Sequence, residues 1–239
     1  MLSLTGCLDF LEEFYLNKDG SGEYAITIDM SELFNNPFMK SALEEEAKKD
    51  GAEDVSLEQD SLMYYRDMFP EGVLTTEEQN LIKDLSLHMV MSEEKSKFYI
   101  ETKIPFSSFE EYERINSVLA KMKKDENADG EDANPLGGML GGANPMGDKP
   151  RFKLERRKLV RLPDTGDAFK DIDDETMSYM EMLFGEAKFK TIYHLPGRVK
   201  KTTIPNAVVD GKTVTVENSF LDLVKQKAKL DGYIKYKRR

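Results

Sequence analysis

An α+β class, with antiparallel sheets built from hairpins and helices packed on one face, is predicted by three observations. Segments with period-two alternation recur along the chain, and positive-φ turn dipeptides such as Asp19-Gly20 and Asp210-Gly211 join them in pairs. Between the pairs, Ser or Thr followed three residues on by an acid marks helix starts. At 239 residues the chain can bury a substantial core as one large or two small domains.

Residues 10–16 and 23–30 read as strands around a turn at 17–22. In the second, Tyr24, Ile26, Ile28 and Met30 alternate with Glu23, Ala25, Thr27 and Asp29, so one face is apolar and the other solvated. Ser31 is placed to cap a helix over 33–49, whose tail from 42 onward is rich in Ala, Glu, Leu and Lys. A short strand is expected over 62–68. Thr75 and Glu78 form a capping box ahead of Leu81, Ile82 and Leu85. Residues 86–91 and 97–106 make a second hairpin, with Phe98, Ile100, Ile104 and Phe106 on one face. Ser108 and Glu111 then cap a helix presenting Ile115, Val118, Leu119 and Met122 at helical spacing.

From 124 to 150 the composition turns acidic and then rich in Gly, Pro and Asn, the signature of a flexible linker or loop. A basic strand over 151–162 follows, then a helix through Met177, Met180, Met182, Leu183 and Phe184. A strand over 188–195 leads through Pro196-Gly197 into 198–203. Residues 206–209 and 212–217 pair across Asp210-Gly211, and Ser219 is expected to cap a helix over 220–228. In the closing segment 230–237, Gly232, Ile234 and Tyr236 lie opposite Asp231, Tyr233 and Lys235. The divisions are therefore 1–7, a signal remnant; 8–123, an acidic α+β part; 124–150, the linker; and 151–239, a basic α+β part.

The net charge of −11 conceals an asymmetry, since residues 151–239 carry 20 Lys and Arg against 13 Asp and Glu while residues 1–150 carry 14 against 32. Two complementary halves are suited to packing on each other. The basic half also holds a candidate anion-binding site at Arg156, Arg157, Lys158, Arg161, Lys200 and Lys201. The single Cys excludes an internal disulfide.

Catalytic signatures are missing from the sequence. Residues 17–23 resemble the opening of a calcium loop, but the twelfth position is Ile28 where a bidentate Glu is required, so the segment reads as a hairpin turn. His88 and His194 stand singly in expected strands, without metal-ligand spacing. No nucleophile elbow, phosphate-binding loop or dinucleotide fingerprint occurs. No catalytic residue, metal or cofactor is assigned.

Leu4, Thr5, Gly6 and Cys7 have the order of a lipobox, in which a signal peptide is cut before a cysteine that receives acyl chains. With six residues before Cys7, the signal is read as truncated. These residues, the segment Leu16-Asn17-Lys18-Asp19-Gly20-Ser21-Gly22 and the segment Leu195-Pro196-Gly197-Arg198-Val199-Lys200 before Asp210-Gly211 give the chain its resemblance to bacterial envelope lipoproteins. The shared motifs are structural and bring no activity with them. The resemblance implies an acylated Cys7 held in membrane lipid, a place in the cell envelope, and an envelope protein or a glycan as partner, with no nucleic acid. Leu8, in place of an inner-membrane retention aspartate, favours the outer membrane. The functional expectation is a lipid-anchored envelope protein that binds or scaffolds and does not catalyse. The alternatives are an envelope hydrolase using carboxylates and an anionic lipid- or glycan-binding module.

Overall fold

The computed structural model describes residues 9–32, 41, 58–121, 151–163, 177–178, 181 and 184–237. Cys7, the helix expected over 33–49 apart from Ser41, Met122, the linker over 124–150 and much of the helix expected through 177–184 lie outside the described residues.

Strands β1 (Asp9–Leu16) and β2 (Gly22–Asp29) form the first hairpin, in register from Asp9 opposite Asp29 to Leu16 opposite Gly22. Its turn is closed by the Asn17 carbonyl, which accepts from Gly20 N at 3.3 Å, by the Ser21 carbonyl, which accepts from Asn17 N at 2.8 Å, and by the Asp19 carboxylate, which accepts from Ser21 N at 3.1 Å. Gly20 supplies the turn's positive φ of 93°. Beyond β2 come β5 (Lys97–Phe106), β4 (Ser86–Ser92) and β3 (Glu58–Tyr64); beyond β1 come β8 (Lys188–His194), β11 (Thr213–Ser219) and β10 (Val208–Asp210). The eight strands run in the order β10-β11-β8-β1-β2-β5-β4-β3. Every pair is antiparallel except β1 with β8. That parallel pair departs from the purely antiparallel expectation, because strands far apart in sequence carry no turn that would fix their relative direction.

A second sheet has the order β6-β7-β12-β9, from β6 (Phe152–Glu155), β7 (Lys158–Arg161), β12 (Gly232–Tyr236) and β9 (Val199–Thr202). The segment expected as one basic strand over 151–162 is therefore a hairpin, turned at Arg156 with φ +55°. An arginine in that conformation sends no turn signal through composition. Four helices complete the described fold: α1 (Tyr65–Met68), α2 (Thr76–Leu81), α3 (Phe109–Leu119) and α4 (Phe220–Val224). The strand expected over 62–68 instead starts at Glu58 and gives way to α1 at Tyr65. The Thr75–Glu78 capping box forms in both directions. Ser108 accepts from Glu111 N at 3.2 Å. Ser219 makes no side-chain cap, and α4 stops short of 228, with Gln226 at φ +56° just beyond it.

Alternation along β1 sends Phe10, Glu12, Phe14 and Leu16 to the inner face of the large sheet. Over its centre pack the small sheet and α3, so the cover is part sheet and part helix. Phe14, with no exposed surface, has ring contacts with Tyr24, Phe106, Phe109, Tyr112 and Phe152. A second apolar cluster joins Phe10, Met30, Phe98 and Ile100 to Phe184, Ala187, Phe220 and Val224 at the Asp9 end. Strands from before residue 124 and after residue 150 meet within the large sheet, where β1 lies between β2 and β8.

Candidate functional site: a cationic sheet face and an adjoining cleft

The small sheet separates its residues by chemistry. Phe152, Leu159, Arg161, Ile234 and Tyr236 are buried toward the large sheet. The pleat therefore turns Lys153, Lys158, Val160, Tyr233, Lys235 and Lys201 outward. Register then sets Lys235 directly opposite Lys158 on one side and Lys201 on the other, a row of three ammonium groups across β7, β12 and β9. Like charges facing each other across antiparallel strands are unfavourable by roughly 0.2–1 kcal/mol a pair.

Lys158 has some relief: its Nζ lies 3.1 Å from Glu155 and 4.9 Å from the Tyr233 ring centroid. Lys153 reaches the same carboxylate at 3.8 Å. The hydrogen bond from Lys158, and then its charge, hold Glu155 below the usual carboxylate range. Among the described residues no ion pair involves Arg156, Arg157, Lys200, Lys201 or Lys235. Backbone bonds gather these cations at one end of the sheet: Tyr236 N donates to Arg157 O at 3.1 Å and Lys237 N donates to Arg198 O at 2.9 Å.

Arg156, Arg157, Lys158, Lys200 and Lys201 are thus brought to the turn, edge and outer face of one sheet. Arg161 is not among them. It points inward and is buried against Glu12, which also accepts from Tyr24 Oη and Thr191 Oγ1, each at 2.8 Å. Arg151 adds a second cation 3.5 Å from Glu12, and Arg161 donates to Tyr193 Oη at 3.2 Å. Burial by itself would raise the Glu12 carboxyl, but the charges of Arg161 and Arg151 and the bonds from Arg161 and Thr191 outweigh it and hold the group below its ordinary value. Burial likewise works against the charge of Arg161, and Glu12 reverses the balance, so the guanidinium is held more firmly protonated than usual. This cluster ties the two sheets together from inside.

A cleft of about 530 Å³ opens at the Leu16 end of β1, lined by Tyr15, Leu16, Asn17, Lys18, Asp19, His194, Leu195, Pro196 and Lys212. Tyr15 and His194 are partners in the β1–β8 register, and their rings stack at 4.1 Å and 4°. Glu13 holds both, accepting from Tyr15 Oη at 2.9 Å and lying 3.2 Å from His194 Nε2. Burial and the bond to Glu13 push the Tyr15 hydroxyl up to about 12, so it remains a donor. The other histidine, His88, is 2.7 Å from Asp60 near the opposite edge of the sheet. Among the described residues no group of His, Cys, Asp and Glu is arranged to hold a metal.

Sequence reading missed Lys153 and Lys235, although the alternation of 230–237 already set Lys235 on the face away from Ile234. Glu12 sits in phase with Phe10, Phe14 and Leu16, and an acid in an apolar phase signals a buried cation partner.

The described residues form a sheet-dominated α+β fold of two sheets with a basic outer face on the smaller one. No protein-family model matches the chain, and no curated protein does. Among solved structures, the NMR structure of the folded domain of LppM from Mycobacterium tuberculosis is similar at a TM-score of 0.38, with 9% identity over 99% of this chain and 95% of that one.

Proposed function

We propose that this chain is an anchored binding module of a bacterial envelope, held to lipid through an acylated Cys7 and presenting the outer face of its small sheet to an anionic ligand. The observation that carries the ligand class is the row Lys158, Lys235 and Lys201. Three like charges set in register oppose folding, and an anion lying across them removes that opposition. The anchor is supported by the order Leu4, Thr5, Gly6 and Cys7 immediately before a strand that begins at Asp9. Two or more acyl chains, at about 0.8 kcal/mol per buried methylene, hold a protein firmly. Leu8 supports the outer membrane as its place. A binding role is favoured over hydrolysis because, among the described residues, Asp19 is the single carboxylate lining the cleft, and its Oδ1 is occupied by Ser21.

Binding of fluorescent polyphosphate to the purified chain tests the ligand class. The double variant Lys201→Glu with Lys235→Glu lowers affinity by roughly thirtyfold, from about 1 kcal/mol per lysine lost. Unchanged affinity refutes the assignment. Feeding cells a clickable fatty acid tests the anchor, since Cys7→Ala should abolish labelling, and equal labelling of the two proteins rejects it.

A further inference from the structure

The cationic face and the cleft lie at the same end of the molecule and are joined through the backbone. Pro196 forms a wall of the cleft, and the next residue, Gly197, is packed so tightly on the end of β12 that a Cβ there would lie 1.6 Å from the Lys237 carbonyl oxygen. Lys237 is in turn bonded to Arg198. Val199 N donates to Gly211 O at 2.9 Å and Leu195 N to Lys212 O at 3.0 Å, so Lys201, Lys235, Lys237, Arg198 and Lys212 succeed one another around this end, and Lys212 and Lys18 line the cleft without an ion pair among the described residues. A path that long suits a chain-like polyanion better than a single small anion.

What the cleft adds to the cations is a fixed ring platform. One acceptor, Glu13, holds both Tyr15 and His194, and the stacked pair is in place before any ligand arrives. Rings of this kind pack against the apolar C–H surfaces of a sugar, and the adjacent Lys18 and Lys212 suit a carboxylate or phosphate on that sugar. The cleft's volume, about 530 Å³, falls within the roughly 300–1,000 Å³ typical of small-ligand sites.

Building on the anion-binding reading above, we infer that the cleft takes an acidic sugar unit and that the ligand of the basic face is an acidic polysaccharide. Geometry weighs against the lipid that would hold the anchor. Asp9 pairs with Lys188 and Tyr15 with His194, so the cleft is about 20 Å along β1 from Asp9. Cys7 is joined to Asp9 by a span of chain no longer than about 7 Å.

The test compares four probes on the purified chain by titration: a polygalacturonate oligomer, polyphosphate of matched charge, neutral maltoheptaose and anionic phosphatidylglycerol vesicles. The expected result is that polygalacturonate binds most tightly. Tyr15→Ala and His194→Ala should each weaken that binding about tenfold while leaving polyphosphate binding within about twofold, and Tyr15→Phe, which keeps the ring, should restore most of it. Unchanged thermal unfolding of the variants guards against a folding defect. The inference is overturned if polyphosphate binds through Lys201 and Lys235 while Tyr15→Ala leaves polygalacturonate binding unchanged, or if vesicles bind more tightly than polygalacturonate. If neither polyanion binds the wild-type chain, the anion-binding reading fails as well.

Discussion

Replacing Arg161 with methionine removes the cation that faces Glu12 while keeping much of the side-chain volume. Glu12 is fully buried, and without Arg161 it retains Tyr24 Oη and Thr191 Oγ1, each at 2.8 Å, with Arg151 as the remaining cation at 3.5 Å. Breaking a buried pair by removing one partner costs about 3–5 kcal/mol, because the other charge stays buried. Arg161 also donates to Tyr193 and lies 5.3 Å from the Phe152 ring centroid, while Arg151 offsets part of the deficit. The expected loss is therefore about 3 kcal/mol, with Glu12→Leu losing a similar amount. The double variant should lose only about 1–2 kcal/mol, the residue of Tyr24, Thr191 and Tyr193 left without their charged partners. Urea unfolding of the four proteins at pH 7 gives the coupling energy, expected at about 4–5 kcal/mol in magnitude. A single-variant loss under about 1 kcal/mol, or an additive double variant, would refute the buried charge pair.

The same carboxylate sets an acid limit. Its folded-state pKa lies below the ordinary value of 4.5, so its contribution to stability is complete above 4.5 and disappears as pH falls through the lower folded value. Urea midpoints measured from pH 6 downward should fall less steeply in the Glu12→Leu, Arg161→Met protein than in wild type. Phe14→Ala empties the centre of the aromatic cluster and should lose about 3–5 kcal/mol by chemical unfolding. Gly197→Ala drives a methyl into the Lys237 carbonyl; a loss of about 2 kcal/mol or more, with β12 amides exchanging faster, is expected. Lys235→Glu alone should raise stability by roughly 0.5–1 kcal/mol while weakening polyphosphate binding, the trade-off of a surface arranged for a ligand.

Local chemistry alone placed most of the elements. Asp19-Gly20 and Asp210-Gly211 located two turns, the Thr75–Glu78 box started α2, and the alternation of Phe98, Ile100, Ile104 and Phe106 marked the buried face of β5, because each of these signals lies within a few residues of its effect. Of the six cations proposed from sequence, five share the small sheet's turn, edge and outer face, and Arg161 does not. Its side is decided by the phase of β7, which depends on the Arg156 turn at φ +55°, a conformation that composition does not reveal.

Sequence by itself determined the kinds of side chain present, the β1–β2, β4–β5 and β10–β11 hairpins, the Thr75 and Ser108 caps and the acidic–basic division of the chain. Only the tertiary structure decided that β8 lies parallel to β1, that Glu12 meets Arg161, that Tyr15 stacks on His194, and that β12 enters between β7 and β9 to align Lys158, Lys235 and Lys201. These are pairings between segments remote in the chain, and no local propensity encodes them. They arise when burying one apolar core selects which strand edges meet and in what register.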